Sequence, residues 1–171
     1  GPVVVACVIL PNDDTHEEFS KIKDSKKLTP KVRESLSDFI KYIAIDYSII
    51  FIDNKEIDSL NIRNATLKGM QQAYVELNVI PDIVLVDGDF YKPVHNEKYE
   101  CIPQGDAHYR CIAAASILAK VARDTYCKNI MHSEYPQYKW DKNKAYGTKE
   151  HYEALQSHGI SQYHRRSFDL H

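Results

Sequence analysis

The chain has 171 residues, of which 43% are hydrophobic and 27% are charged. This composition suits one globular domain with one sizeable core and excludes a chain dominated by disorder. The longest apolar stretch, Val3 to Leu10, is far too short to cross a bilayer, and a formal net charge of −2 does not by itself identify a nucleic-acid-binding protein.

The first half of the chain predicts two strands and two helices. Val3 to Leu10 is a continuous β-branched run, which is typical of a buried strand, and Tyr47 to Ile52 predicts a second strand. Between them, Thr29-Pro30 provides an N-cap and a proline at the first helical position. A second helix is predicted from Ile62 to Leu77, and we expect its buried side to contain Leu67, Met70, Tyr74 and Leu77.

The second half continues this alternation of strands and helices. Strands are predicted at Ile83 to Val86 and near Tyr99 to Ile102, followed by a long helix from Ile112 to about Met131. Tyr135-Pro136 breaks that helix, and a last helix is expected between a Thr148 cap and Gly159. The alternation predicts an α/β fold, and without a repeat or a linker one domain over residues 1–171 is the economical interpretation.

The four cysteines, Cys7, Cys101, Cys111 and Cys127, form no CxxC pair. Cys7 and Cys111 lie in apolar runs, so buried free thiols are favoured over disulfides or a zinc site. Free thiols favour a reducing compartment, and we expect a cytoplasmic protein.

Two aspartates are candidates for a metal site. Asp87 follows a buried strand, which is a common place for a ligand site in α/β sheets, although an Asp before Gly88 also forms turns. Asp106 is open to the same two interpretations, or to a third as the cap of the following helix. Mg²⁺ and Mn²⁺ take carboxylate oxygens, and phosphodiester cleavage needs two or more such groups to converge. The separation of the two aspartates permits a site without requiring one.

Other chemistry is weaker in the sequence. Asp124 lies one helical turn after Lys120, so a salt bridge is the better interpretation there. The histidines have no zinc-binding spacing, and the chain has no phosphate-binding glycine loop, which argues against an unrelated nucleotide-binding domain. Basic residues cluster near both ends of the chain, where a solvated face and a nucleic-acid contact are equally good explanations.

Several segments resemble the ribonuclease HII family, in the family's order and over essentially the whole chain. The most specific are Asp24-Ser25-Lys26-Lys27-Leu28 and the segment from Ala113-Ala114-Ala115-Ser116 to Lys120-Val121. The others are Gly1-Pro2-Val3-Val4, Glu56-Ile57-Asp58, Val86-Asp87-Gly88, Gly105-Asp106-Ala107, Lys144-Ala145-Tyr146-Gly147-Thr148 with His151, and His164-Arg165-Arg166-Ser167-Phe168.

The resemblance implies a ribonuclease H-like fold, with a mixed sheet flanked by helices and a C-terminal helical segment. It implies a metal-dependent endonuclease that hydrolyses the RNA strand of RNA/DNA hybrids and cuts on the 5′ side of ribonucleotides embedded in duplex DNA. Mg²⁺ or Mn²⁺ would be the cofactor. The partner would be an RNA/DNA hybrid or duplex DNA that contains ribonucleotides, and we expect the protein to be a monomer.

The resemblance also assigns residues. Asp87 and Asp106 match two of the family's four metal-binding carboxylates, which decides against Asp124 as a ligand. Tyr146 would pack on the sugar beside the ribonucleotide, although without its motif a core tyrosine would be the better interpretation. Lys26 and Lys27 would contact phosphates, and the weaker candidates for duplex contact or for structure are Lys144, His164 and Arg165.

The sequence departs from the family in three places. The family's Gly-x-Asp-Glu-x-Gly-Arg-Gly segment, with the other two carboxylates, would precede Gly1-Pro2-Val3-Val4 and is not in this sequence. We expect an incomplete sequence rather than a cut fragment, because the remaining motifs are so well kept, and we expect exposed sheet edges where that strand would lie. The alternative is a catalytically inactive nucleic-acid-binding fragment. Ala145 replaces the usual Gly, and Asn143 stands where His is common.

Overall fold

The structure is a computed structural model that describes residues 1–12 and 15–169. Its strands are β1 (Val3–Ile9), β2 (Asp46–Ile52), β3 (Val84–Asp87) and β4 (Tyr99–Ile102). Its helices are α1 (Pro30–Ile43), α2 (Asn54–Leu60), α3 (Ile62–Val75), α4 (Arg110–Tyr126), α5 (His132–Glu134), α6 (Trp140–Asn143) and α7 (Lys149–His158). The α/β class and the C-terminal helical segment predicted from the sequence are confirmed.

The predicted helix ends are confirmed by their caps. Thr29 Oγ1 accepts a hydrogen bond from Val32 N at 3.3 Å where α1 begins, with Pro30 in the first turn. Thr148 caps α7 in the same way, and Gly159 ends it with a φ of 73°. Helix α2 was not predicted, although Asp53 caps it by accepting from Glu56 N at 2.8 Å, and Asp-x-x-Glu is a recognisable start signal.

Helix α4 is the central helix of the fold. Its small residues Ala113 and Ala114 are fully buried, and the helix packs against β1 and α1. A π-helical segment, Cys127–Met131, continues it into α5, and the break predicted at Tyr135-Pro136 follows. Because small side chains let a helix axis approach a sheet closely, the alanine-rich start brings the residues just before α4 close to the strands.

The buried face of α3 differs from the prediction. The large residues expected there, Leu67, Met70, Tyr74 and Leu77, are only half-buried. The fully buried positions are Ala65, Gly69 and Ala73. A Cβ at Gly69 would lie 2.8 Å from Val5 Cγ2, so α3 packs against β1 too closely for a larger side chain. The large residues lie to the side of this contact line.

The strands form two small sheets. β1 and β2 are antiparallel, from Val3 opposite Ile52 to Ile9 opposite Asp46, and β3 and β4 are parallel. Within the described ranges, neither sheet has a third strand. An apolar groove of about 830 Å³, lined by β1, β3, α3 and α4, lies between the sheets. The groove separates the two sheets in the described part of the chain.

The core is divided among three clusters. One lies between α1 and α4, around Ile40 and Leu118, and a second lies between α3 and the β1–β2 sheet. The third lies in the C-terminal helical segment, around Trp140 and Met131. All four cysteines are free thiols, as predicted, but only Cys127 is buried. No helix in the described part of the chain is long and apolar enough to span a membrane.

Candidate active site

Asp87 is the last residue of β3, and its carboxylate is exposed at the carboxyl end of the β3–β4 sheet. Its Oδ1 accepts a hydrogen bond from Gly105 N at 3.0 Å. The backbone of Gly88 in turn donates to Ile102 O at 3.1 Å, which extends the pairing with β4. These bonds fix the carboxylate against the loop that carries the second candidate aspartate.

Asp106 lies in a short 3₁₀ segment, Gly105–Ala107, just before α4, and it is 8% exposed. The segment turns sharply after Gln104, whose φ is 55°. A Cβ at Gly105 would lie 2.5 Å from Ile112 Cδ1, so a larger residue there would require the Ile112 side chain to move. The N-cap of α4 is Tyr109, with no side-chain cap bond. The prediction that Asp106 caps the following helix is therefore wrong.

Three carboxylates interact electrostatically at this place. The pKa of Asp106 is raised, first by burial and then by the negative charges of Asp87 and Asp24, while Lys26 acts in the opposite direction. We refer to Asp24, Asp87 and Asp106 as the acidic corner. Asp24 begins the Asp24–Leu28 motif but was not predicted as a site residue. The signal that could have identified it is an acidic residue directly before a pair of lysines.

Two carboxylates of the acidic corner, Asp87 and Asp106, fit a divalent cation. Carboxylate oxygens are the ligands that hard cations prefer, and a cation would relieve the repulsion that raises the pKa of Asp106. Among the described residues, no group of three or more acidic, histidine or cysteine side chains is arranged to hold an ion by itself. Mg²⁺ commonly binds through one or two carboxylates and completes its shell with water and substrate phosphate oxygens, so two ligands are compatible with binding.

Lys26 and Lys27 are exposed beside this corner, in the 3₁₀ segment Ser25–Lys27. Asp24 Oδ1 caps the segment by accepting from Lys26 N at 3.0 Å. Arg33 Nη1 donates to Ser25 O at 2.8 Å and holds the segment against α1. The motif thus presents two lysine side chains to solvent next to the candidate metal ligands.

Tyr146 is 56% exposed, so the alternative interpretation of Tyr146 as a core tyrosine is wrong. Its ring centroid lies 5.1 Å from Lys120 Nζ and 5.3 Å from the guanidinium carbon of Arg123. Lys120 Nζ also pairs with Asp124 Oδ1 at 2.9 Å, which confirms the salt bridge predicted for Asp124. An exposed aromatic ring among cations is suited to packing on a sugar beside phosphates.

The three weaker candidates face the protein. Lys144 Nζ donates to Asp141 O, and Arg165 Nε donates to Gly1 O at 3.0 Å. His164 is 5% exposed, and both of its ring nitrogens have hydrogen-bond partners in the interior. This placement favours the structural alternative over duplex contact for all three.

A strand-end carboxylate and a second carboxylate in the following loop, beside exposed lysines, can bind a divalent ion next to phosphates, as metal-dependent phosphodiester cleavage requires. Comparisons with known proteins define the family. The family model for ribonuclease HII matches residues 1–171. The chain is 45% identical over 170 residues to ribonuclease HII of Christiangramia forsetii, which covers 99% of this chain and 84% of that protein. It is 48% identical over 169 residues to ribonuclease HII of Caldicellulosiruptor bescii, covering 98% and 79% respectively.

Solved structures agree on the fold. The crystal structure of ribonuclease H2 from Pyrococcus horikoshii superposes with a TM-score of 0.84, at 24% identity, covering 99% of this chain and 88% of that one. Ribonuclease HII from Archaeoglobus fulgidus, solved in a complex with PCNA, gives a TM-score of 0.77 at 24% identity and covers 97% and 85%. The chain belongs to the ribonuclease HII family, the metal-dependent endoribonucleases that act on RNA/DNA hybrids.

Proposed function

We propose that this chain cuts the phosphodiester on the 5′ side of a ribonucleotide, including a single one within duplex DNA, with Mg²⁺ or Mn²⁺ held by Asp87 and Asp106. The observation that carries the proposal is the acidic corner itself. Asp87 Oδ1 accepts from the backbone N–H of Gly105, the residue before the buried Asp106, and burial together with the negative charges of Asp87 and Asp24 raises the pKa of Asp106. A cation bound there would stabilise both carboxylates.

The chain's own residues prepare this site for a phosphodiester. When bound, a divalent ion activates water and stabilises the leaving oxygen. The backbone N–H of Gly105 orients the Asp87 carboxylate. Lys26 interacts electrostatically with Asp106. Its ammonium group would bind a substrate phosphate and offset the repulsion between that phosphate and the carboxylates of the acidic corner.

The substrate would lie across the acidic corner, the lysine segment and Tyr146. Lys26 and Lys27 would contact backbone phosphates, which gives affinity and salt dependence without base specificity. The Tyr146 ring would pack on the deoxyribose beside the ribonucleotide. Discrimination of RNA from DNA would then depend on the 2′-hydroxyl and on duplex shape. The protein would work as a monomer in the cytoplasm.

The test uses the 171-residue chain with duplex DNA that contains one ribonucleotide and an end label. We expect a single cut on the 5′ side of the ribonucleotide, leaving a 3′-hydroxyl and a 5′-phosphate, with Mg²⁺ or Mn²⁺ present and none with a chelator. An all-DNA duplex of the same sequence is the control substrate and should stay intact.

The alternative of a nucleic-acid-binding chain without catalysis predicts a different result. Salt-dependent binding of the same duplex with no turnover at any concentration of either metal would overturn the catalytic proposal. A cut at another position would overturn the assigned specificity while leaving the nuclease assignment in place.

A further inference from the structure

Two buried histidines in the C-terminal helical segment have no part in the proposed metal chemistry. His151 lies in the first turn of α7, and His164 lies in the turn that follows the helix. They are 7% and 5% exposed, and their Nε2 atoms are 3.1 Å apart. We call them the histidine pair. Since two lone pairs or two hydrogens cannot face each other in a hydrogen bond, one Nε2 donates and the other accepts.

The contact of His151 with the Tyr146 backbone settles its tautomer. His151 Nδ1 lies 3.0 Å from Tyr146 O. A carbonyl oxygen can only accept, so Nδ1 of His151 carries the hydrogen. In the neutral ring, Nε2 of His151 is therefore the acceptor for His164.

The hydrogen bond at Nδ1 of His164 independently gives the same direction of donation, from His164 to His151. Its Nδ1 lies 2.9 Å from the backbone N of Ser161, and a backbone N–H can only donate. Nδ1 of His164 is therefore without hydrogen, and Nε2 carries it toward His151. Burial lowers the pKa of both rings, that of His164 to about 4, so both are neutral at physiological pH. Hydrogen bonds run in one direction from Ser161 through both rings to Tyr146.

The backbone that this chain of bonds holds is conformationally costly. Lys144 and Ala145 have φ of 51° and 63°, and neither is a glycine. Left-handed conformations are unfavourable for residues with a Cβ, so they persist only where other contacts hold them. Arg123 Nη1 donates to Lys144 O and Asn143 Oδ1 accepts from Ala145 N, both at 2.9 Å. The bond from His151 to Tyr146 O completes this set.

The other end of the chain of bonds is anchored to a different part of the fold. Asn54 in α2 donates through Nδ2 to His164 O at 3.0 Å and to Gln162 O at 2.8 Å. Asn54 is itself buried. The histidine pair thus connects the anchored turn around His164 to the strained loop that carries Tyr146.

We propose that His151 and His164 are positioning residues that fix the Tyr146 loop, and thereby aim the Tyr146 ring at the sugar beside the ribonucleotide. The proposal rests on the substrate-binding function proposed for Tyr146. It makes the histidine pair a determinant of substrate recognition that acts through the backbone and never touches the nucleic acid.

The first test measures the tautomers without any activity assay. Imidazole ¹⁵N spectra of the whole chain at neutral pH should show hydrogen on Nδ1 of His151 and on Nε2 of His164. The signals of the two rings are assigned by their loss in the His151→Asn and His164→Gln variants. The opposite tautomer at either ring would overturn the proposed direction of the hydrogen bonds.

The second test is a double-mutant cycle on cleavage of duplex DNA with one ribonucleotide. His151→Leu should raise KM about fivefold and change kcat by less than about twofold. In a Tyr146→Ala background the same change should have no further effect, because the ring that the pair positions is gone. His151→Asn keeps an N–H where Nδ1 lies and should recover most of the loss, and His158→Leu is the matched control in the same helix.

The outcomes separate this proposal from the proposed function. If Tyr146→Ala leaves KM unchanged, the substrate role of Tyr146 fails. If Tyr146→Ala raises KM but His151→Leu adds its full effect in that background, the histidine pair stabilises the fold without positioning the ring, and the present proposal is overturned. If His151→Leu does not fold, the cycle is run with His164→Gln against His164→Leu, where Gln keeps the donor to His151.

Discussion

The acidic corner and the histidine pair are both clusters of titratable side chains with at least one buried member, and they are built in opposite ways. In the acidic corner, Asp106 faces two other negative charges and its pKa is raised. In the histidine pair, each ring nitrogen has a partner of the correct kind, and the pKa of both rings is lowered so that neither carries charge. One cluster concentrates charge, and the other removes it.

The difference teaches how to separate a reactive site from a supporting one in this fold. A cluster that keeps charge at a cost in stability is expected to bind a ligand of opposite charge or to act on a substrate, here a cation and a phosphate. A cluster whose polar atoms all have hydrogen-bond partners within the chain is expected to fix the conformation of the neighbouring residues. The two should therefore respond oppositely to substitution and to acid.

The largest expected effect is on the acidic corner. Asp106→Asn should reduce cleavage at least about 1000-fold, equivalent to about 4 kcal/mol, because a metal ligand is lost. The same change removes the repulsion from Asp87 and Asp24, so without metal the free energy of unfolding should stay equal or rise by about 1 kcal/mol. Cleavage rates and urea unfolding measure the two effects.

The matched control for that experiment is Asp82→Asn. Asp82 is exposed and precedes the first residue of β3, whereas Asp87 is the last residue of that strand. Replacing Asp82 should change neither cleavage nor stability appreciably. A large loss of stability in Asp106→Asn would mean that the carboxylate is a structural element, and the contrast between the two clusters would be wrong.

The second expected effect is acid sensitivity from the histidine pair. The pKa of His164 is about 4 in the folded chain against 6.5 for an ordinary histidine. Between these values the unfolded chain binds more protons, so stability is present above pH 6.5 and is lost as pH falls toward 4. The loss should be on the order of 2–3 kcal/mol, measured by urea unfolding at several pH values.

His164→Gln isolates this effect from that of carboxylates that also titrate in acid. The variant has no titrating ring, so its stability should fall less steeply over the same pH range. Asp106 acts in the opposite sense, since protonating a carboxyl with a raised pKa favours the folded state. Equal slopes in the variant and the parent chain would show that the histidine pair is not the acid-sensitive element.

Local signals in the sequence predicted much of the fold. Thr29-Pro30 and Thr148 carry their cap signals in the side chains themselves, so the start of α1 and the start of α7 were correctly predicted. Asp87 and Asp106 were predicted as partners from strand-end position and family resemblance, and their roles as metal ligands remain predictions. These features depend on a few neighbouring residues, which is why one sequence is enough to find them.

Features made by distant contacts could not be predicted. The buried face of α3 is set by how closely Gly69 approaches Val5, which no helical periodicity reveals. The histidine pair joins positions thirteen residues apart through a turn, with a third partner at Tyr146. Spacing rules for metal-binding histidines excluded a zinc site without indicating that two of these rings would bond each other.

The third expected effect concerns the exposed ring that the histidine pair is proposed to hold. Tyr146→Ala should raise KM about tenfold for duplex DNA with one ribonucleotide, equivalent to about 1.4 kcal/mol, because the packing surface for the sugar is lost. Tyr146→Phe keeps the ring and should stay close to the parent chain. If Phe behaves like Ala, the Tyr146 hydroxyl near Lys120 Nζ, at 3.5 Å, is the important group and the packing role is wrong.

The smallest expected effect is on the cation beside the acidic corner. Lys26→Ala should lower the slope of log affinity against log salt by about one and weaken binding equally for all duplex sequences, because one phosphate contact is lost. Binding is measured with metal replaced by a chelator, and Lys41→Ala, at an exposed site in the last turn of α1, is the control that should keep the slope. Lys26 also interacts with Asp106 directly, so the experiment separates two roles. An unchanged salt slope, together with a pKa of Asp106 that rises further, would mean that Lys26 balances the charge of the acidic corner and does not bind phosphate.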